Sequence, residues 1–193
     1  MKQALLVVDM QNDFCLPDAV LCVKGAMGCL PNVIDAVDVA RARGIPVVWV
    51  IREHDPEGID VELFRSPMFK EGKSSTVKGT PGAALVAGLE VQPGERVIVK
   101  KRFSAFFDTD LHRILQRMGI QRVVIAGVQT PNCIRGTAWD AIALDYPQVT
   151  VLSDGTASSS EEVQAANLYD MRHVKIDTPT VAEWSAQLGP EAA

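Results

Sequence analysis

The sequence predicts an α/β protein: a doubly wound, six-stranded parallel sheet with helices on both faces. Three observations carry this expectation. Six short runs rich in β-branched residues recur along the 193-residue chain. Those runs are nearly continuous in apolar residues, the pattern of strands covered on both sides. Segments with apolar residues at helical spacing separate them, and strand–helix alternation implies right-handed crossovers.

In order, ALLVV (4–8) is the first strand and ends at Asp9. Residues 32–43 form a helix with Val33, Ile34, Val37 and Ala40 on one side, closed by Gly44. PVVWVI (46–51) is the second strand. Residues 52–82 are polar, rich in Gly and Pro, and long for a connection, which marks a functional or mobile loop. Their EGKSS resembles a phosphate loop. However, Pro67 stands where the first glycine of G-x-x-x-x-G-K-[ST] belongs and no strand precedes it, so a Walker A motif is excluded. RVIVK (96–100) is the third strand. A helix over 110–118 carries Leu111, Ile114, Leu115 and Met118 and closes at Gly119. RVVIA (122–126), a helix over 132–144, VTVL (149–152), a helix over 160–171 and HVKI (173–176) complete the alternation. The length fits a single domain, 1–193.

Composition narrows the function classes. Apolar residues make up 47% of the chain, enough for a sizeable core, and the formal charge of −5 is mild and dispersed. No basic stripe points to nucleic acid, and no basic amphipathic run points to a membrane surface. The first apolar run is broken by Asp9, so it reads as a strand rather than a signal peptide, and no run approaches the ~18 residues of a membrane span. A cytoplasmic location is expected. The cysteines are Cys15, Cys22, Cys29 and Cys133, with no C-x-x-C. The first three read as reduced, packed thiols. There is no G-x-G-x-x-G, so no nicotinamide or flavin cofactor is expected.

Ligands of open α/β sheets bind beyond the carboxyl ends of the strands. Asp9 stands at the first such end. Lys100, with Lys101 next, stands at the third. The fourth leads through Gly127 to Cys133. An acid, an amine and a thiol on one rim are the parts of nucleophilic acyl transfer. With Thr130 as N-cap and Pro131 at N1, Cys133 falls in a first helical turn, where the dipole lowers a thiol pKa. Each residue also has a plainer reading. Cys133 is then a packed thiol, Asp9 a carboxylate bonding a nearby backbone N–H, and Lys100 a solvated strand-end lysine. Spacing alone leaves both readings open.

Three blocks go further. LLVVDMQNDF (5–14), VIVKKRFSAFFDTDL (97–111) and IAGVQTPNCIRGTAWDAIALDYP (125–147) resemble the isochorismatase-like cysteine hydrolases. That superfamily includes nicotinamidases, N-carbamoylsarcosine amidohydrolase, ureidoacrylate hydrolases and isochorismatases. The resemblance implies a Rossmann-like three-layer sandwich on a six-stranded sheet. It implies a catalytic triad of Asp9 (from D-x-Q-N-D-F), Lys100 rather than Lys101 (from K-x-R-x-S-A-F) and Cys133 (from G-V-x-T-x-x-C). It implies a cis peptide between Val128 and Gln129, turning the Gln129 N–H toward the same oxyanion as the Cys133 N–H. The implied chemistry is hydrolysis of a small amide, carbamoyl or ureido C–N bond through a thioester. Assembly as a homo-oligomer, dimer or tetramer, is implied as well.

Departures from the family pattern sharpen the choice. Nicotinamidases carry a metal site, usually D-x-H-x-x-x-H, after the second strand. Here REHDPEG offers Arg52, His54 and Gly58, so no metal is expected. Isochorismatases proper often lack the cysteine that is present here. A metal-independent C–N hydrolase is therefore the leading expectation. A nicotinamidase-like or isochorismatase-type hydrolase and a catalytically silent binding relative are the alternatives. Phe14 and Phe103 flank catalytic blocks and are candidate substrate contacts. Arg52 is a candidate for binding a substrate carboxylate, with Arg102 read as a structural ion pair. Trp49 and Tyr169 read as core, and His112 and His173 as structural.

Overall fold

The computed structural model describes residues 1–189; the last four residues of the expected 1–193 domain lie outside the described residues. The sheet has strands β1 (Gln3–Val8), β2 (Val47–Arg52), β3 (Arg96–Lys100), β4 (Arg122–Val128) and β5 (Gln148–Ala157). Their order is β3-β2-β1-β4-β5, and every pairing is parallel. The chain winds outward from β1 to β3, returns to place β4 beside β1, then winds outward again. The switch point between β1 and β4 opens a crevice at their carboxyl ends.

Strand alternation divides the core in two. Leu5, Val7, Val47, Trp49, Val124 and Ala126 face α2 (Ala26–Ala42) and α7 (Val181–Gln187). Ala4, Leu6, Val8, Val48, Val50, Val123 and Ile125 face α4 (Leu111–Arg117), α5 (Arg135–Ala143) and α6 (Glu161–His173). Both faces of β1, β2 and β4 are thus covered, as the continuous apolar runs require. The edge strand β3 departs from this: Val97 and Val99 on its outer face are 44% and 40% exposed.

Among the described residues the sheet has five strands, not the expected six. The run 173–176 does not form a strand. His173 is the last residue of α6, which carries Arg172 and His173 in its final turn, where cations suit the dipole. Lys175 takes a left-handed conformation, φ 65°, that turns the chain away. Ile176 then enters the core, and 177–179 run beside β5 through three backbone bonds: Val151 N–H donates to Asp177 O, Asp177 N–H to Val149 O and Ser153 N–H to Pro179 O. Pro179 has no N–H to continue a ladder.

Five helical segments also differ from expectation. The first long helix begins at Ala26, not at 32, with Pro31 inside its first turns. Short helices α1 (Asn12–Cys15) and α3 (Ser66–Lys70), like α7, have too little periodicity to be expected. The segment after β4 starts as a π turn, Thr130–Ile134, before α5 begins.

Candidate active site

Four adjacent strands deliver one charged or nucleophilic side chain each to the crevice. Lys100 ends β3, Arg52 ends β2, Asp9 follows β1, and Cys133 follows β4. Lys100 is 0% exposed, and Asp9 and Arg52 are 1% exposed. Lys100 Nζ donates to Asp9 Oδ2 at 2.7 Å, to Cys133 Sγ at 3.3 Å and to Arg102 O at 3.1 Å. Arg52 Nη2 lies 4.0 Å from Cys133 Sγ, and its Nε lies 3.8 Å from Asp9 Oδ2. Lys101 points elsewhere, pairing with Asp60 at 2.7 Å.

The backbone at the rim is specialised. Asp9 sits at φ 53°, the left-handed region that non-glycine residues seldom occupy. Its N–H donates to Val50 O, which ties it to β2. Gly127 has φ 112°, and a Cβ there would lie 2.0 Å from Val8 O. β4 therefore approaches β1 closely just below the site, and only glycine permits it. The Val128–Gln129 peptide is cis. Gln129 O accepts from Asn132 N–H and Ile134 N–H, which fixes the turn that carries Cys133.

The electrostatics correct the expectation of a lowered thiol pKa. Cys133 is pushed up from its ordinary value, first by burial and then by the Asp9 carboxylate; Lys100 and Arg52 oppose this without overcoming it. The helix-dipole argument fails because the thiol lies wholly inside the protein, beside an anion. Asp9 Oδ1 is buried without a hydrogen-bond partner, and the Asp9 side chain acts on the thiol both through its charge and as a hydrogen-bond acceptor.

Arg52 is not a free carboxylate binder. Burial would lower its pKa, but the neighbouring Cys133, Asp9 and Glu62 outweigh burial and hold it protonated. Its Nη2 and Nη1 grip Glu62 at 2.8 and 3.2 Å. Glu62 itself, in spite of its burial, is held below the ordinary carboxylate range by Arg52. Gln11 clamps the strand end: its Nε2 donates to Arg52 O and its Oε1 accepts from Arg52 N–H, both at 2.7 Å.

Of the other expected residues, Phe103 joins the site, 5.6 Å from the Arg52 guanidinium carbon. Phe14 does not; it packs in the α2-side core with Met10, Cys15 and Val23. Arg102 makes hydrogen bonds to Asp60 O and Lys101 O instead of an ion pair. Trp49 is core, but Tyr169 is 61% exposed and stacks on His173. His112 sits on α4 with its Nδ1 3.2 Å from Tyr146 Oη.

The sequence reading missed Glu62, Arg65 and Gln11. Glu62 and Arg65 lie in the irregular 52–82 loop, where no periodicity marks direction; only their i,i+3 spacing hints at a pair. Gln11 stands inside the DMQNDF block without an evident role.

The donors after β2 do not fit a divalent metal. His54 Nε2 faces Arg52 Nη1 at 3.4 Å, and its Nδ1 pairs with Asp60 at 3.2 Å. A buried guanidinium thus occupies the space in front of the one histidine. Burial and Arg52 also lower the His54 pKa. No group of three or more His, Cys, Asp or Glu is arranged for a metal among the described residues.

Comparison with known proteins places this geometry in context. The family model described as Isochorismatase domain matches residues 3–183. A protein of Arabidopsis thaliana named "probable inactive nicotinamidase" is 54% identical over 187 residues, covering 96% of this chain and 95% of that protein. The crystal structure of an isochorismatase family protein from Desulfovibrio vulgaris superposes with a TM-score of 0.94 at 44% identity, covering 98% of this chain and 99% of that one. N-carbamoylsarcosine amidase from Thermoplasma acidophilum gives a TM-score of 0.78 at 29% identity, over 94% and 97% of the two chains. No helix among the described residues is long and apolar enough to cross a membrane. The chain belongs to the isochorismatase family.

Proposed function

We propose that the protein is a metal-independent cysteine hydrolase of small amides, carbamoyl or ureido compounds. One observation carries this reading: a single buried ammonium, Lys100, contacts both a carboxylate and a thiol, at 2.7 and 3.3 Å. An inert packed cysteine has no need of either neighbour.

In this reading Asp9 Oδ1 takes the thiol proton as Sγ attacks the carbonyl carbon. Lys100 and Arg52 stabilise the sulfur's developing negative charge, and the Gln129 and Cys133 N–H groups receive the oxyanion. The tetrahedral adduct collapses to a thioester while Asp9 returns its proton to the leaving nitrogen. Asp9 then deprotonates water, which attacks the thioester. The acid leaves, and Cys133 regains its proton.

A panel of small amides, N-carbamoyl and ureido compounds scored for ammonia or amine release tests this. Turnover that disappears in Cys133→Ala supports it; release that persists in that variant overturns it. A second reading, a silent binding relative, is favoured by the "inactive" in the Arabidopsis relative's name. Tight ligand binding without turnover would select it. Nicotinamide turnover without added metal would select the nicotinamidase-like alternative. We also infer self-association: Ile59, Leu63, Phe64 and Phe107 are exposed apolar side chains on loops, and Phe64 packs toward Phe103 at the rim. A monomer in light scattering would contradict it.

A further inference from the structure

The 52–82 loop sends a second guanidinium toward the site. Arg65 is 8% exposed. Its Nε lies 3.1 Å from Glu62 Oε2, yet the approach makes no hydrogen bond. Glu62 already serves Arg52 with both oxygens. Two guanidiniums therefore share one carboxylate, and the second has the poorer share. The wider count agrees. Lys100, Arg52 and Arg65 are three cations against two carboxylates, Asp9 and Glu62. Cys133 is held as a thiol and His54 is held neutral, so neither changes the balance. Burial and the charge of Arg52 accordingly outweigh Glu62 and Asp9 and lower the Arg65 pKa.

The surroundings suit a small planar anion. The Arg65 guanidinium carbon lies 5.0 Å from the Phe64 ring, Phe64 lies 6.1 Å from Phe103, and Phe103 lies 5.6 Å from the Arg52 guanidinium carbon. Two aromatic rings and two guanidiniums thus form a continuous row that ends at Arg52, whose Nη2 lies 4.0 Å from Cys133 Sγ. Guanidinium forks match carboxylates, and a largely buried cation that shares its carboxylate with another favours a further anion.

We infer that Arg65, backed by Phe64 and Phe103, binds a carboxylate of the substrate, so that the amide hydrolysed is an acidic one. This rests on the reading of Cys133 as the nucleophile. It identifies Arg65, not Arg52, as the side chain that selects substrate charge.

Paired probes of equal size separate the two claims. Iodoacetate and iodoacetamide differ in charge, and their rates of Cys133 labelling are read by peptide mass spectrometry in wild type, Arg65→Gln and Arg65→Lys. The expected result is an iodoacetate-to-iodoacetamide rate ratio that falls about tenfold in Arg65→Gln and is largely kept in Arg65→Lys. The iodoacetamide rate of each variant carries whatever change the lost cation makes to the thiol, so the ratio reads probe charge alone. A ratio equal in all three proteins overturns the inference while leaving the nucleophile intact. Calorimetric binding of succinate and succinamide gives a readout independent of thiol chemistry. Succinate preference that is lost in Arg65→Gln and weakens with salt supports the inference. Succinate bound no better than succinamide by wild type overturns it. Cys133 inert to both reagents, with succinate preference intact, sinks the proposed hydrolase and spares the anion site.

Discussion

Cys29 and Cys133 are equally buried, at 5% exposure, on opposite faces of the same sheet. Burial raises both thiols, Cys29 to about 12. Their neighbours separate them. Cys29 Sγ donates to Ala26 O within its own helix at 3.3 Å and otherwise packs among apolar side chains. Cys133 meets Lys100, Arg52 and Asp9, each delivered by a different strand. Depth alone makes a thiol inert. In the proposed reading, convergent charge from the switch point of a parallel sheet is what makes one usable.

The contrast can be broken most forcefully at the proposed nucleophile and base. Cys133→Ala and Asp9→Asn should each lower turnover on a responsive amide by about 10³-fold or more, whereas Cys29→Ala should leave it within about twofold. Steady-state kinetics on purified variants checks this. Equal losses from Cys29→Ala and Cys133→Ala would erase the distinction.

Next in size is the backbone that brings the strands together. Gly127→Ala forces a Cβ against Val8 O at a positive φ and should cost about 3 kcal/mol or more in urea denaturation. Glu62→Gln should cost about 3 kcal/mol, because it leaves two buried guanidiniums without their shared anion. The sign with pH follows from the depressed Glu62 carboxyl. Its stabilisation is present above the ordinary carboxylate value and is lost as pH falls through the lower, folded one. Glu62→Gln should therefore flatten the acid limb of a stability–pH curve. The smallest effect should be Cys29→Ala itself, about 1 kcal/mol of lost packing, measured in the same denaturation series.

What the sequence made legible follows from locality. Apolar runs locate β1 to β5 because strand composition is local, and the residues at their carboxyl ends follow once the runs are placed. The run 173–176 misled because Val174 and Ile176 have strand composition, while the end of α6 and the left-handed Lys175 decide the path. Glu62 and Arg65 stayed hidden because their partner, Arg52, is reached only by a loop without periodicity. The direction of the Cys133 shift is hidden from the sequence for a related reason. Position in a helical turn is visible in a sequence, but enclosure beside Asp9 is not.

The most direct test of the account is the pH dependence of Cys133 alkylation by iodoacetamide in wild type, Asp9→Asn and Lys100→Met, with Cys29 as internal control. Because the Asp9 carboxylate raises the thiol and the Lys100 ammonium lowers it, the midpoint should move down in Asp9→Asn and up in Lys100→Met. Asp9→Asn should thus label faster near neutral pH while losing turnover, and Cys29 should be unchanged. Three coincident profiles at Cys133 would mean that the carboxylate and ammonium do not govern the thiol, and the triad would not be the seat of any chemistry.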